Sequence, residues 1–145
     1  MRTAIGADLV KAADLVNVGP KWVIAHLADA AALKSLAPDL AALAAYDRRN
    51  ATTGLTVFAD DSADGVLVRS YAPADGIAED PVCGSGNGAV AAYRLKHGFN
   101  AVGDSYVARQ GREIGRNGLI SVRFGADGIH IGGRCVTCVD GTVEI

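Results

Sequence analysis

Residues 84–96 read "GSGNGAVAAYRLK", and the run "GAVAAYRL" within them has very few polar positions. A helix with one wet face alternates apolar and polar residues at a period of 3.6. One with so little polarity must be enclosed on most of its sides. The C-terminal part of the chain constrains the enclosure. "DSYVARQG", "LISVRF", "IHIGG", "RCVTCV" and "TVEI" all read as strands, with no helix between them. An alternating βαβ sheet is excluded, because parallel strands need helical crossovers. The pattern that remains is an α+β chain, with a curved, mostly antiparallel β-sheet or barrel wrapped around a central helix.

The rest of the chain supplies strands and outer helices. "VNVGPKWVIAHL" (16–27) is a Gly-Pro turn feeding a strand. "DAAALKSLAPDLAALAAYDRR" (29–49) is helical, with Asp29 at its N-cap and an interruption at Pro38. "TGLTVFA" and "GVLVRSYAP" are strands about the acidic turn "DDSADG", and "GIAEDP" reads as a further turn. The central helix is expected from about Gly86 to His97, stopped by Gly98. In "LISVRF", Ile120, Val122 and Phe124 share one face, and Asp140-Gly141 between apolar runs signals a hairpin.

At 145 residues the chain is expected to form one domain, residues 1–145, large enough for a substantial core. Hydrophobic residues make up 50% and the net charge is −2, so neither a disordered chain nor a basic nucleic-acid footprint fits. No apolar run approaches the roughly 20 residues of a membrane span, and "MRTAIGADLV" lacks the apolar core of a signal peptide. A cytoplasmic protein with no membrane or nucleic-acid partner is expected. Three cysteines do not make a disulfide framework.

The chemistry concentrates in "EDPVCGSGNG", residues 79–88. A helix N-terminus presents unpaired N–H groups and a partial positive charge, and glycines let a ligand approach them. Gly84, Ser85, Gly86 and Asn87 therefore form a candidate cradle for a carboxylate or oxyanion. Glu79 and Asp80, just upstream, are candidates for proton transfer or for holding a substrate amine or hydroxyl. The competing reading is a plain helix start, with Asp80 or Ser85 bonding the free N–H groups and Pro81 fixing the entry. Cys83 is open in the same way: a helix N-terminus lowers a thiol pKa, adjacent carboxylates raise it, and burial as a small apolar residue is the commoner fate.

Two other motifs are set aside. Gly84-x-Gly86-x-x-Ala89, with Asp104 further on, fits the dinucleotide pattern, but "GIAEDP" is not the apolar strand that should precede it, and its acids would repel a pyrophosphate. No lysine completes a phosphate-binding loop. Cys135-x-x-Cys138 falls in a strand pattern, where an offset of three sends the sulfurs to opposite faces, so core packing is expected rather than redox or zinc chemistry. His26, His97 and His130 stand singly and are not candidates for catalysis.

"EDPVCGSGNGAVAAY" resembles the signature of the PhzF family, the phenazine-biosynthesis-like isomerases of diaminopimelate-epimerase-like fold. "VNVGPKWVIAHLADAAALKSLAPDLAAL", "YAPADGIAEDP" and "RQGREIGRNGLISVRF…IHIGGRCVTCVDGTV" are similar to further stretches of the same family, so the likeness covers roughly residues 14–145. It implies an eight-stranded barrel around the central helix. It also implies a cofactor-free isomerisation that moves a proton on a small carboxylate-bearing metabolite. Family members are about twice this length, with the substrate between two halves, and this chain resembles the C-terminal half. Asp80 and Ser85 then fall on the family's site aspartate and serine, with Gly84 and Gly86 beside them, and Gly19 on a loop lining the cleft. Cys83 falls where related racemases keep a catalytic cysteine. The family's proton-moving glutamate and a site histidine lie in the other half, without counterparts here.

Two classes of function are open to such a chain. It is an isomerase subunit completed by a homodimer or by a separately encoded N-terminal half, with Glu79, Asp75, Glu113 or Asp104 as the acids a dimer could recruit. Alternatively it is a small-molecule binding module, or a remnant, without turnover.

Overall fold

A computed structural model describes residues 10–62 and 65–144. Eight strands form a sheet ordered β1-β2-β3-β4-β6-β7-β8, with β5 beside β4. They are β1 Val10–Asn17, β2 Lys21–Leu27, β3 Gly54–Asp61, β4 Gly65–Ala72, β5 Ile77–Asp80, β6 Ser105–Gln110, β7 Gly118–Gly125 and β8 Gly128–Gly132. Two of the ladders, β2 with β3 and β4 with β6, are parallel; the remainder are antiparallel. Among the described residues the α-helices are α1 Ala30–Ser35, α2 Leu40–Asn50 and α3 Gly84–Lys96. No helix among the described residues is long and apolar enough to cross a membrane.

The sheet curls around α3, and its two faces bury two separate cores. On β2, Trp22 and Ile24 face α3 while Val23, Ala25 and Leu27 face α1 and α2. On β3 and β4, Phe58, Val66 and Val68 join the α3 core, and Leu55, Val57, Leu67 and Tyr71 join the outer one. This is the period of two along a strand, and it explains why these strands read as nearly unbroken apolar runs: both faces are covered. β6 and β7 have only one covered face. There Ala108, Gln110, Ile120, Val122 and Phe124 are buried, whereas Val107, Leu119, Ser121 and Arg123 are exposed.

The outer helices follow their caps. The Asp29 carboxylate accepts from the Ala32 N–H (2.8 Å) and starts α1. Pro38 separates the two helices, but it lies before the second cap rather than inside the helix. Asp39 accepts from the Ala42 N–H (2.9 Å) and starts α2.

Several expectations are corrected. "GIAEDP" contains a short strand, β5, because Ser70 and Ala72 of β4 offer it a ladder. α3 begins two residues earlier than expected, with Cys83 as its N-cap. β1 reaches back to Val10, before the expected turn. "RCVTCV" and "TVEI" form no strand in the described residues, and no hairpin turns at Asp140-Gly141. Cys135 and Cys138 are therefore exposed rather than packed in a core. β-forming residues need a ladder partner, and among the described residues no strand pairs with residues 133–144. Part of the acidic turn, residues 63–64, and residues 1–9 and 145 lie outside the described residues.

Candidate functional site

The mouth of α3 is held from three sides. On the outer side, Arg69 of β4 grips both carboxylate oxygens of Glu79 on β5 (2.9 and 2.8 Å). Its remaining nitrogen, Nη1, donates to the carbonyls of Leu33 and Leu36 at the end of α1. Glu79 is therefore a structural partner of a buried arginine, not a free proton-transfer group. On the sheet side, the Trp22 indole N–H of β2 donates to Ser85 Oγ (3.1 Å). From below, Gln110 of β6 bonds to both Asp80 and Cys83.

The cradle is narrower than its four expected members. The Cys83 sulfur caps the helix, accepting from the Gly86 N–H (3.3 Å). The Asn87 N–H returns to the Cys83 carbonyl (3.0 Å). The Asn87 side chain is buried and points inward, donating to the Cys83 carbonyl and to Gln110 Oε1. Gly86 and Asn87 thus build the turn rather than contact a ligand. Gly86 has a steric reason to be glycine: a Cβ there would sit 2.8 Å from the hydroxyls of both Thr56 and Ser70, which bond each other in the buried floor. The Gly84 and Ser85 N–H groups have no partner among the described residues, and Gly84 is exposed. Those two amides, at the positive end of a 13-residue helix, can bind one carboxylate edge.

Asp80 is partly buried, and one oxygen of its carboxylate accepts from the Val82 N–H (2.9 Å). The other has no partner among the described residues. Cys83 is 6% exposed, and burial pushes its thiol pKa up, the Gly86 and Ser85 bonds pulling the other way. It fits a neutral cap better than a thiolate nucleophile. Gly19 lies in the β1–β2 turn at φ +98°, with open space where a Cβ would be.

A cleft of about 640 Å³ opens beside the turn, meeting it at Val82 and Gly84. Leu119 and Ile131 give it apolar walls, and Asn117 and Arg134 line it as well. An anion on the two amides could lay an apolar body into this cleft. Among the described residues no group of three or more His, Cys, Asp and Glu side chains could hold a metal ion. The three histidines lie elsewhere: His26 stacks on Phe58, His97 caps the far end of α3, and His130 meets Asp127. Of the other acids, Asp75 acts on Asp47 of α2 and Asp104 caps the loop at Ala101, whereas Glu113 follows Gly111, whose backbone packs against Pro81, and its charge is felt at Arg69. Three residues that hold the turn were missed in the sequence, Arg69, Trp22 and Gln110. A signal existed for Gln110, since it is polar on the inward-facing period of β6.

Comparison with known proteins agrees with this fold. Residues 3–141 match the model of the PhzC-PhzF family, phenazine biosynthesis-like proteins. The antisense-enhancing sequence 1 protein of Schizosaccharomyces pombe is 31% identical over 88% of this chain and 45% of its own length. An uncharacterised isomerase of the same yeast is 32% identical over 90% of this chain and 75% of its own. The trans-2,3-dihydro-3-hydroxyanthranilate isomerase of Pseudomonas chlororaphis is 31% identical, over 99% of this chain and 55% of that enzyme. The crystal structure of a PhzF-family phenazine biosynthesis protein from Enterococcus faecalis superposes with a TM-score of 0.73 at 25% identity, covering 91% of this chain and 46% of that one. The chain thus spans about half the length of several relatives that it matches. It belongs to the phenazine biosynthesis-like, PhzC-PhzF, protein family.

Proposed function

We propose that this chain supplies the anion-binding half of a cofactor-independent isomerase site, acting on a small carboxylate-bearing metabolite. The observation that carries this reading is the pair of open amides at Gly84 and Ser85, with Asp80 beside them. Loss of a proton from a carbon conjugated to a carboxylate places negative charge on the carboxylate oxygens. Fixed N–H donors at a helix terminus stabilise that charge without reorganising. Asp80 holds or relays the proton that returns at another carbon, so the rearrangement balances with no cofactor. The reaction class is supported by the family and by relatives named as isomerases.

The turn supplies donors and one carboxylate but not a second acid–base group. Glu79 is locked by Arg69, and Cys83 is buried with a raised pKa. The general base comes from a second copy of this chain, or from a separately encoded partner. A homodimer is favoured by exposed apolar side chains around the cleft, Val82 at 49%, Leu119 at 48% and Ile131 at 37%. The test is proton NMR in D2O with trans-2,3-dihydro-3-hydroxyanthranilate, alongside light scattering. Deuterium incorporation with double-bond migration, lost in Asp80→Asn, is expected from the dimer. Binding without any exchange would leave a carboxylate-binding module instead.

A further inference from the structure

Asp80 and the Gly84–Ser85 amides sit on either side of a short irregular connection, Pro81–Cys83, between β5 and α3. Their relative placement is not set by a regular element, so something else must set it. Gln110 touches both ends. Its Nε2–H donates to the Asp80 carbonyl (2.7 Å), and its Oε1 accepts from the Cys83 N–H (3.2 Å). The same oxygen accepts from Asn87 Nδ2 (2.8 Å), whose other bond goes to the Cys83 carbonyl (2.8 Å).

Gln110 is itself rigidly held. Its backbone pairs with Gly118 of β7 and with Val68 of β4, and the residue is 1% exposed. The turn lies directly on the end of β6. A Cβ at Gly111, where φ is +88°, would sit 2.6 Å from the Pro81 carbonyl oxygen. Packing alone does not need an amide here, since methionine has nearly the same shape. A buried polar side chain persists where its bonds specify a geometry.

We propose that Gln110 is the positioning residue of the anion-binding turn, bridging Asp80 and Cys83 so that the Asp80 carboxylate and the Gly84 and Ser85 N–H groups face one ligand. This role rests on the proposed isomerase function. Gln110 touches no substrate; it acts through the turn.

The test follows the Gly84 and Ser85 amide resonances of ¹⁵N-labelled protein titrated with benzoate, together with hydrogen exchange at the Cys83 amide. Gln110→Met deletes all three bonds and should weaken benzoate about tenfold and speed Cys83 exchange by a similar factor, the worth of about one hydrogen bond. Gln110→Glu keeps the acceptors for Cys83 and Asn87 but loses the donor to Asp80. It should keep the Cys83 amide protected while still binding benzoate more weakly, and it tests the proposal even where Gln110→Met fails to fold. Phe124→Leu, a cavity further along β7 and outside the cleft lining, controls for stability: it should lower the melting temperature and leave benzoate affinity unchanged. A wild type whose Gly84 and Ser85 amides ignore benzoate contradicts the anion site itself. A responsive wild type, with either folded Gln110 variant binding at wild-type affinity, contradicts the role of Gln110 alone.

Discussion

The two ends of α3 are built on opposite plans. At the C-terminal end the charged side chains are paired. Arg94 is 7% exposed, donates to Asp60 and Asn100, and lies over the rings of Phe58, Phe99 and Tyr106. Lys96 and His97 meet Asp14, complementing the negative end of the helix. At the N-terminal end no charged side chain caps the helix: the cap is a thiol, the supports beneath are the amides of Asn87 and Gln110, and two N–H groups stay open. A helix end closed by its own side chains serves stability. An end braced from beneath and left open above is arranged for a ligand.

The contrast can be broken at the closed end first. Arg94→Met leaves Asp60 without its arginine and removes the bond to Asn100. Its loss should lower unfolding free energy by about 2–4 kcal/mol in chemical denaturation, with carboxylate binding at the turn unchanged in the folded fraction. Impaired binding of similar size would couple the two ends and contradict the division.

Gly86→Ala probes the floor of the open end. Its new methyl meets the Thr56 and Ser70 hydroxyls, which is expected to destabilise by about 1–3 kcal/mol and also to tilt the turn. Stability at the wild-type level would show that the floor yields.

The closed end should carry a pH dependence that the open end lacks. Burial pushes the His26 imidazole below its ordinary value of 6.5, with Asp60 pulling back. The unfolded chain then binds more protons than the folded one, so stability is present above that value and falls as pH drops through it. His26→Phe keeps a ring against Phe58 and should flatten the slope measured between about pH 7 and 5. An unchanged slope would assign it to other groups, Asp14 among them, whose lowered carboxyl pKa acts in the same direction at lower pH.

Asp80→Asn is the mildest change in stability, about 1 kcal/mol or less, because asparagine can still accept from the Val82 N–H. Its effect should fall on ligand handling. A loss of several kcal/mol with binding intact would make Asp80 a structural cap.

Thiol accessibility draws the same line within one experiment. At mildly alkaline pH, Cys135 and Cys138 should react promptly with a thiol reagent, and Cys83 only on unfolding, since burial raises its pKa. Fast labelling of three thiols would contradict the closed floor beneath the turn.

The central helix and its wrapping strands were legible in the sequence because one-dimensional periodicity carries them: "GAVAAYRL" has no wet face, and Ile120, Val122 and Phe124 alternate as their burial does. The same logic misread residues 133–144. β-forming composition records a capacity to pair, and whether a partner strand exists is a property of the whole fold. It also misread Glu79, whose role depends on an arginine ten residues earlier, placed beside it by the β4–β5 ladder. Glycine spacing located the site, but separating its open amides from those capped within the turn needed the Cys83 sulfur and the Asn87 side chain in three dimensions.

The most direct test of an open, ligand-ready helix mouth is a crystal structure grown with acetate or benzoate. The account predicts a carboxylate within hydrogen-bonding distance of the Gly84 and Ser85 N–H groups, its substituent directed toward Leu119 and Ile131. A structure in which both amides are satisfied by the protein's own atoms, with the anion elsewhere or absent, would contradict it.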